Sequence, residues 1–281
     1  MLKRYGVIGY PIGHSMSPFI HKELFSLRGH EVEYEKYEIA PEKLSETFDT
    51  TLRHLDGFNI TIPHKLAIMG CCDEIDASAE EYGAVNVIAN KNGKYTGYNT
   101  DAYGFLKGLE FSGIPLSGKV LVYGFGGAAR TIITECLKAD CEVFVGTTAD
   151  RKELAEPIAA ELSEKNGKPI KILTNEEINF EFDLLLHASP VGMYPHTGVS
   201  PLTEEQVGLF KYVYDIVYNP AETELLRLAK KLGKVCGGGM SMLVCQAIKG
   251  HEYWYGAEFT KEETTLVIEK SDKAMERIFS K

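Results

Sequence analysis

KVLVYGFGGAAR, residues 119–130, decides how this chain folds. Its opening residues are an apolar run of strand length that ends at Gly124. Gly124, Phe125, Gly126, Gly127, Ala128 and Ala129 then follow the pattern G-x-G-x-x-A, and helical spacing opens behind them. Each small residue has a physical task. Gly124 allows a tight turn, Gly126 lets the backbone approach a pyrophosphate, and Ala129 lets helix pack close on strand. The helix N-terminus then turns free N–H groups and the positive end of its dipole toward the phosphates. A bare glycine pattern is weak evidence. Here a strand precedes it, a helix follows it, and a second strand (CEVFVG, 141–146) comes at the right distance. The stretch therefore reads as a dinucleotide-binding turn, with Gly124, Phe125, Gly126, Gly127 and Ala128 as candidate cofactor-binding residues.

Downstream the alternation continues. A helix leads to strand PIKIL (169–173), then come strands FDLLLHAS (182–189) and YVYDIVY (212–218), a helix over 222–232 stopped by Gly233, and a turn CGGG (236–239). Beyond Gly239 the pattern is helical and carries no strand. Upstream, RYGVIG (4–9) is a short apolar strand. A helix follows over 17–29, with Ser17 as N-cap, Pro18 at its first position and Gly29 as its stop. A half-buried strand over 31–39, a helix over 41–54 and a strand over 58–62 come next. Asn92-Gly93 joins two short strands (85–89 and 95–98) as a hairpin. Residues 100–109 read as a helix, and 111–118 as a linker with Gly and Pro. Strands alternating with helices predict an α/β fold with mainly parallel sheets, in two domains divided near 100–118.

Bulk properties exclude several classes of function. A net charge of −10 opposes binding to nucleic acid or to an anionic membrane, both of which want a basic surface. No apolar run approaches the ~20 residues that span a bilayer. The basic N-terminus MLKRYGVIGYPIG reads as a first strand rather than a signal peptide. The six cysteines form no CxxC pair and no cluster with histidine, so neither a disulfide framework nor a metal site is indicated. A reduced, cytoplasmic protein follows. No apolar helix face announces an interface, which leaves monomer and homodimer both open.

The first domain displays small polar groups where its strands end. GYPIGHSMSP (9–18) presents Ser15 and Ser17. NITIPHK (59–65) alternates Asn59 and Thr61 with Ile60 and Ile62, and then Pro63 ends the ladder for want of an N–H. Lys65 follows at once. GAVN (83–86) and YNTD (98–101) add Asn86 and Asp101. Any one of these alone is an ordinary surface or capping residue. Ligands in open α/β sheets bind beyond the carboxyl ends of strands, so the set together suggests a polar cleft for a polyhydroxylated substrate.

HSMSP, NITIPHK, GAVN, YNTDAYG, GFGGAAR, ASPVGM, YDIVYNP and GGGMSMLVCQA occur in the order found in shikimate dehydrogenases, over about residues 5–250. The chain thus resembles that family over nearly its whole length. The resemblance implies reversible reduction of 3-dehydroshikimate to shikimate, a step toward the aromatic amino acids, with hydride from NADPH. It implies a substrate-binding catalytic domain over 1–101, completed by C-terminal helices over 240–281, and a Rossmann-like NAD(P)-binding domain over 102–239. It assigns Lys65 and Asp101 as the catalytic pair, and Ser15 and Ser17 as the holders of the substrate carboxylate. Thr61, Asn86, Tyr218 and Gln246 become substrate contacts, with Asn59 in support. Ser189 falls in the cofactor site, where Ile216 and Gly239 offer backbone contacts to the nicotinamide end. On this reading Lys65, kept protonated by Asp101, donates a proton to a developing alkoxide.

The chain departs from the family at two places. After the second strand of the dinucleotide unit the family usually carries Asn-Arg-Thr, whose arginine clamps the 2′-phosphate of NADP. Here Thr147, Thr148 and Ala149 stand there, with Asp150 and Arg151 beyond. The fork suited to bidentate phosphate binding is missing, and Arg151 supplies part of it. Either NADP or NAD is the expected cofactor, with weak discrimination between them. His187 replaces the asparagine often found before the Ala-Ser-Pro turn, a change expected to affect packing or hydrogen bonding. Quinate/shikimate dehydrogenases using NAD, and a dinucleotide-sensing relative without turnover, are the alternatives. An intact Lys65 and Asp101 count against the second.

Overall fold

Residue contacts divide the chain into two units in this computed structural model, which describes residues 2–279. The first unit runs to Tyr103 and includes Val244–Ser271; among the described residues the second takes Gly104–Leu243 and 272–279. Residues 240–243 and 272–279 thus group with the second unit, whereas the resemblance placed the helices over 240–281 with the first.

In the first unit, β1 (Lys3–Gly9), α1 (Ser17–Leu27), β2 (Val32–Glu38) and α2 (Leu44–Thr50) lead to β3 (Gly57–Ile60). Then come β4 (Glu74–Ile75), α3 (Ala77–Tyr82), the hairpin β5 (Val87–Lys91) and β6 (Lys94–Tyr98), and α4, Asp101–Phe111. The sheet order is β2-β1-β3-β5-β6-β4. β1 pairs parallel with β2 and β3, and β4 parallel with β6, while β5 pairs antiparallel with both β3 and β6. The hairpin sets that reversal. Asn92 and Gly93 both have positive φ (58° and 85°), as a tight two-residue turn needs. One face of the sheet buries Ile8, Phe58, Ile60 and Ile88 with Phe48 and Leu52. The other buries Tyr5, Val87 and Ala89 against Phe25 and Trp254, whose indole N–H donates to the Ile88 carbonyl at 2.9 Å. Each such apolar side chain contributes about 1.5–3 kcal/mol on burial.

Two local expectations change here. Met16, not Ser17, occupies the N-cap position of α1, and no side chain caps it. Strand β3 stops at Ile60, so the alternation does not reach Ile62, which is 74% exposed. Beyond Ile60 the chain turns, with the His64 N–H bonded to the Thr61 carbonyl around Pro63.

In the second unit the elements are β7 (Lys119–Tyr123), α5 (Gly127–Lys138), β8 (Glu142–Thr147), α6 (Lys152–Asn166), β9 (Ile170–Thr174), β10 (Phe182–His187) and α7, Glu204–Val207. β11 (Phe210–Asp215), α8 (Glu224–Lys231) and β12 (Val235–Gly238) complete the sheet. Its order is β12-β11-β10-β7-β8-β9, parallel throughout. Counted from β7 this is 3-2-1-4-5-6, the doubly wound dinucleotide order, whose switch point falls between β7 and β10. Strands buried on both faces read as continuous apolar runs, as VLVY and LLL do. CGGG is not a turn: Cys236, Gly237 and Gly238 form most of the edge strand β12, and Gly239 opens the next helix. A Cβ on Gly237 would stand 2.1 Å from Ser112 Oγ and 2.9 Å from the Tyr214 ring, so only glycine lets this strand lie against its neighbours. Helices α9 (Gly239–Tyr255) and α10 (Lys261–Phe279) follow, and no helix among the described residues is long and apolar enough to cross a membrane.

Candidate active site and dinucleotide cradle

Lys65 sits one residue beyond a buried anchor. The His64 ring is 1% exposed and its Nε2 lies 2.7 Å from the Ile39 carbonyl, while the Lys65 carbonyl accepts the Val85 N–H at 2.8 Å. Backbone on both sides is therefore fixed, and the lysine side chain, 28% exposed, reaches Asp101 Oδ2 with its ammonium at 2.6 Å. Nothing in the sequence marked His64 as that anchor. A histidine between proline and lysine looks like any polar turn residue.

Asp101 is the first residue of α4, where the helix dipole favours a carboxylate. Its own N–H donates to Asn99 Oδ1 at 2.8 Å, and the Asn99 amide donates to the Ala84 carbonyl at 2.8 Å. Asn86 Nδ2 donates to Asp101 Oδ1 at 2.9 Å and to Thr100 Oγ1 at 3.1 Å. Asn86 Oδ1 accepts from the Thr100 N–H at 2.8 Å and from its hydroxyl at 3.3 Å. Both protons and both lone pairs of that amide are thus engaged. Asn86, expected as a substrate contact, is also a buried strut that fixes Asp101. A carboxylate with one oxygen held by an amide and the other by an ammonium has a single orientation.

Ser15, on the loop before α1, and Ser17, the first residue of α1, are half-buried, and the Ser17 N–H donates to Ser15 Oγ at 3.2 Å. The Ser17 hydroxyl bonds that of Tyr34, whose phenol burial pushes well above its ordinary pKa. Tyr34 in turn donates to Asn59 Oδ1 at 2.7 Å, which leaves the Asn59 amide nitrogen as its free face. Thr61 is half-buried; a Cβ on Gly9 would come within 2.6 Å of its methyl, so the glycine that ends β1 makes its room. Gln246 lies on α9 within the first unit, and Tyr218 follows β11 in the second. Burial raises the Tyr218 phenol pKa. Tyr34, absent from the predicted set, joins two of its members. Its only sequence signal was its place on a half-buried strand.

The glycine loop of the second unit fits a dinucleotide. Gly124 has φ +120°, and a Cβ there would lie 2.6 Å from the Ala188 carbonyl oxygen. A Cβ on Gly126 or Gly127 would meet nothing within 4 Å, so the loop is open where a pyrophosphate approaches. The first turn of α5 carries no acid to repel phosphate. Thr147 belongs to β8 and is buried, which corrects the strand end from Gly146 and leaves Thr148 and Arg151 as the more accessible side chains there. The Arg151 guanidinium carbon stands 5.1 Å from the Phe125 ring centroid, which holds the cation beside the glycine loop. Ser189 follows β10, and Gly239 meets the Ile216 carbonyl so closely that a Cβ would lie 2.0 Å from its oxygen.

The substrate binding domain model of shikimate dehydrogenases matches residues 7–88. Shikimate dehydrogenase (NADP(+)) of Methanocaldococcus jannaschii is 37% identical over 261 residues, which cover 91% of this chain and 92% of that protein. The solved shikimate 5-dehydrogenase of Thermus thermophilus, in complex with NADP(H) and shikimate, superposes with TM-score 0.83 at 32% identity, covering 96% of this chain and 100% of that one. The Listeria monocytogenes shikimate 5-dehydrogenase, in complex with shikimate and NAD, gives TM-score 0.80 at 28% identity, covering 95% and 96% of the two chains.

Proposed function

The chain belongs to the shikimate dehydrogenase family, and we infer that it performs the family's reaction through Lys65 and Asp101. That reaction is the reversible, NAD(P)H-dependent reduction of 3-dehydroshikimate to shikimate. We assign the first unit as the substrate-binding catalytic domain and the second as the NAD(P)-binding domain. A cytoplasmic setting fits its six cysteines, none of them in a disulfide.

The bound nicotinamide supplies or receives the hydride. The protein manages the proton. As the carbonyl carbon takes hydride, its oxygen gains negative charge and needs a donor within about 2.6–3.2 Å. The Lys65 ammonium has three N–H donors; one is directed at Asp101, and two remain for a substrate oxygen. In the oxidising direction the same nitrogen takes the proton back, with Asp101 sharing it. Ser15 and Ser17 are assigned the substrate carboxylate. Thr61, Asn59, Asn86, Gln246 and Tyr218 are assigned to the remaining polar groups of the substrate.

The observation that carries this reading is the 2.6 Å Lys65–Asp101 contact, with Asn86 fixing the second carboxylate oxygen. A panel of shikimate and quinate against NADP+ and NAD+, followed by NAD(P)H absorbance, tests it. Shikimate oxidation with at least one cofactor is expected. No turnover of shikimate with either would overturn it. Quinate with NAD+ is the second reading, favoured by the missing arginine after β8, and faster turnover of quinate than shikimate would establish it.

A further inference from the structure

His187, at the end of β10, is fully buried, as is Asp215 at the end of β11. The two strands pair in register at these residues, and His187 Nδ1 lies 2.9 Å from Asp215 Oδ1. Asp215 is surrounded by donors. Its Oδ1 also accepts the Val217 N–H at 2.9 Å, and its Oδ2 accepts the Thr223 hydroxyl at 2.6 Å. The Thr223 oxygen is itself an acceptor for the Leu226 N–H at 3.3 Å, which leaves its own proton for Asp215. A carboxylate in that setting only accepts, so in the tautomer that suits it Nδ1 carries the ring proton. Nε2 is then an acceptor, and its partner is Ser189 Oγ at 2.6 Å. The Ser189 hydroxyl proton is therefore committed to His187. One of its lone pairs takes the Val191 N–H at 3.3 Å, and one remains.

Ser189 stands where that last lone pair has a use. The residue before it, Ala188, presses its carbonyl against Gly124 of the glycine loop, at the switch point between β7 and β10. A dinucleotide lying across such a point puts its adenosine toward β8 and its nicotinamide toward β10 and β11. We propose that His187 fixes Ser189 as a hydrogen-bond acceptor for the carboxamide N–H of the nicotinamide. The chain thereby selects amide dinucleotides over their deamido, nicotinic-acid forms, whose carboxylate would meet a lone pair instead of a donor. His187 is the positioning residue and Ser189 the contact. The proposal rests on the dinucleotide-binding reading above and adds a specificity to it.

Calorimetric titration of the full chain with NAD+ and deamido-NAD+, and with NADP+ and its nicotinic-acid counterpart, tests it without turnover. The intact chain is expected to bind the amide form about tenfold or more tightly, because a site built around one hydrogen bond rejects the analogue that cannot make it. Ser189→Ala removes the acceptor, and His187→Phe frees the hydroxyl to rotate and donate. Each is expected to bring the ratio below about threefold. If His187→Phe does not fold, Ser189→Ala decides alone. A ratio near one in the intact chain, or a ratio that Ser189→Ala leaves unchanged, overturns the proposal while dinucleotide binding stands. Failure of every dinucleotide to bind overturns the dinucleotide reading and this proposal together.

Discussion

Lys65 Nζ and Asp101 Oδ2 stand 2.6 Å apart although 36 positions separate them in the chain. The contact crosses a turn after β3 and the first residue of α4, and the Asn86 amide holds the carboxylate from its other side. The proposed proton-transfer role makes this pair the most informative place to mutate.

Lys65→Ala is expected to lower kcat for shikimate oxidation by about 10²–10⁴-fold, the usual worth of a positioned acid–base group. A side chain 28% exposed contributes little to packing, so the melting temperature should stay within a few degrees. Near-normal turnover in a well-folded variant would remove Lys65 from the mechanism. Asn86→Ala leaves both charges in place but frees Asp101. It should lower kcat less than Lys65→Ala does.

Cofactor preference is the second prediction. With Arg151 beside the glycine loop and no arginine directly after β8, kcat/KM for NADPH over NADH should stay below about a hundredfold, or 2.7 kcal/mol. Arg151→Ala should reduce kcat/KM with NADPH more than with NADH. Equal losses with both would show that the guanidinium serves the loop and not the 2′-phosphate.

Gly124 combines a left-handed φ with a carbonyl at contact distance. Gly124→Ala should cost about 1–3 kcal/mol of stability and weaken dinucleotide binding, because the loop must move off the Ala188 carbonyl. Urea denaturation and dinucleotide titration of the same variant read both effects. A variant as stable and as tight-binding as the parent would show that the loop relaxes freely.

Acid should destabilise the first unit before its carboxylates titrate. His21 Nδ1 lies 2.9 Å from His251 Nε2 in a buried cluster, and burial lowers the His21 pKa to about 3 and the His251 pKa well below its ordinary value. The unfolded chain takes up these protons near pH 6.5 and the fold refuses them. Stability is therefore whole above pH 6.5 and is lost as pH falls toward 3, by about 1.4 kcal/mol for His21 alone at pH 5.5. Asp272 in the second unit acts oppositely: burial, then Glu276, raise its pKa to about 6, against the pull of Lys230. An Asp272→Asn background removes that term. Trp254, the sole tryptophan, has its ring centroid 5.1 Å from that of His21, so its fluorescence reports this unit. In that background the urea midpoint should drop between pH 7.5 and 5.5. A constant midpoint would contradict the buried neutral pair.

Much of this protein was legible in its residues. The glycine loop announced the second unit because its demands are local: a positive φ, an open approach to phosphate and a small residue under a helix all fall within one turn. The Asn92-Gly93 hairpin was legible for the same reason. Ile62 misled because alternation continues on paper after the ladder has stopped at Ile60. CGGG misled because glycine is usually a signal for a turn, and only the nearness of Ser112 and Tyr214 makes it a strand.

The sequence alone determined the alternating α/β order, the dinucleotide turn and the residue types at the strand ends, since periodicity and backbone preference act over a few residues. Tertiary structure decided which of those residues meet. The reversed run of β5 brings Asn86 to Asp101, and the parallel register of β10 with β11 sets His187 against Asp215. Such pairings depend on strand order and register between distant segments. The free energy that selects them comes from burying whole sheet faces, not from the residues that end up in contact.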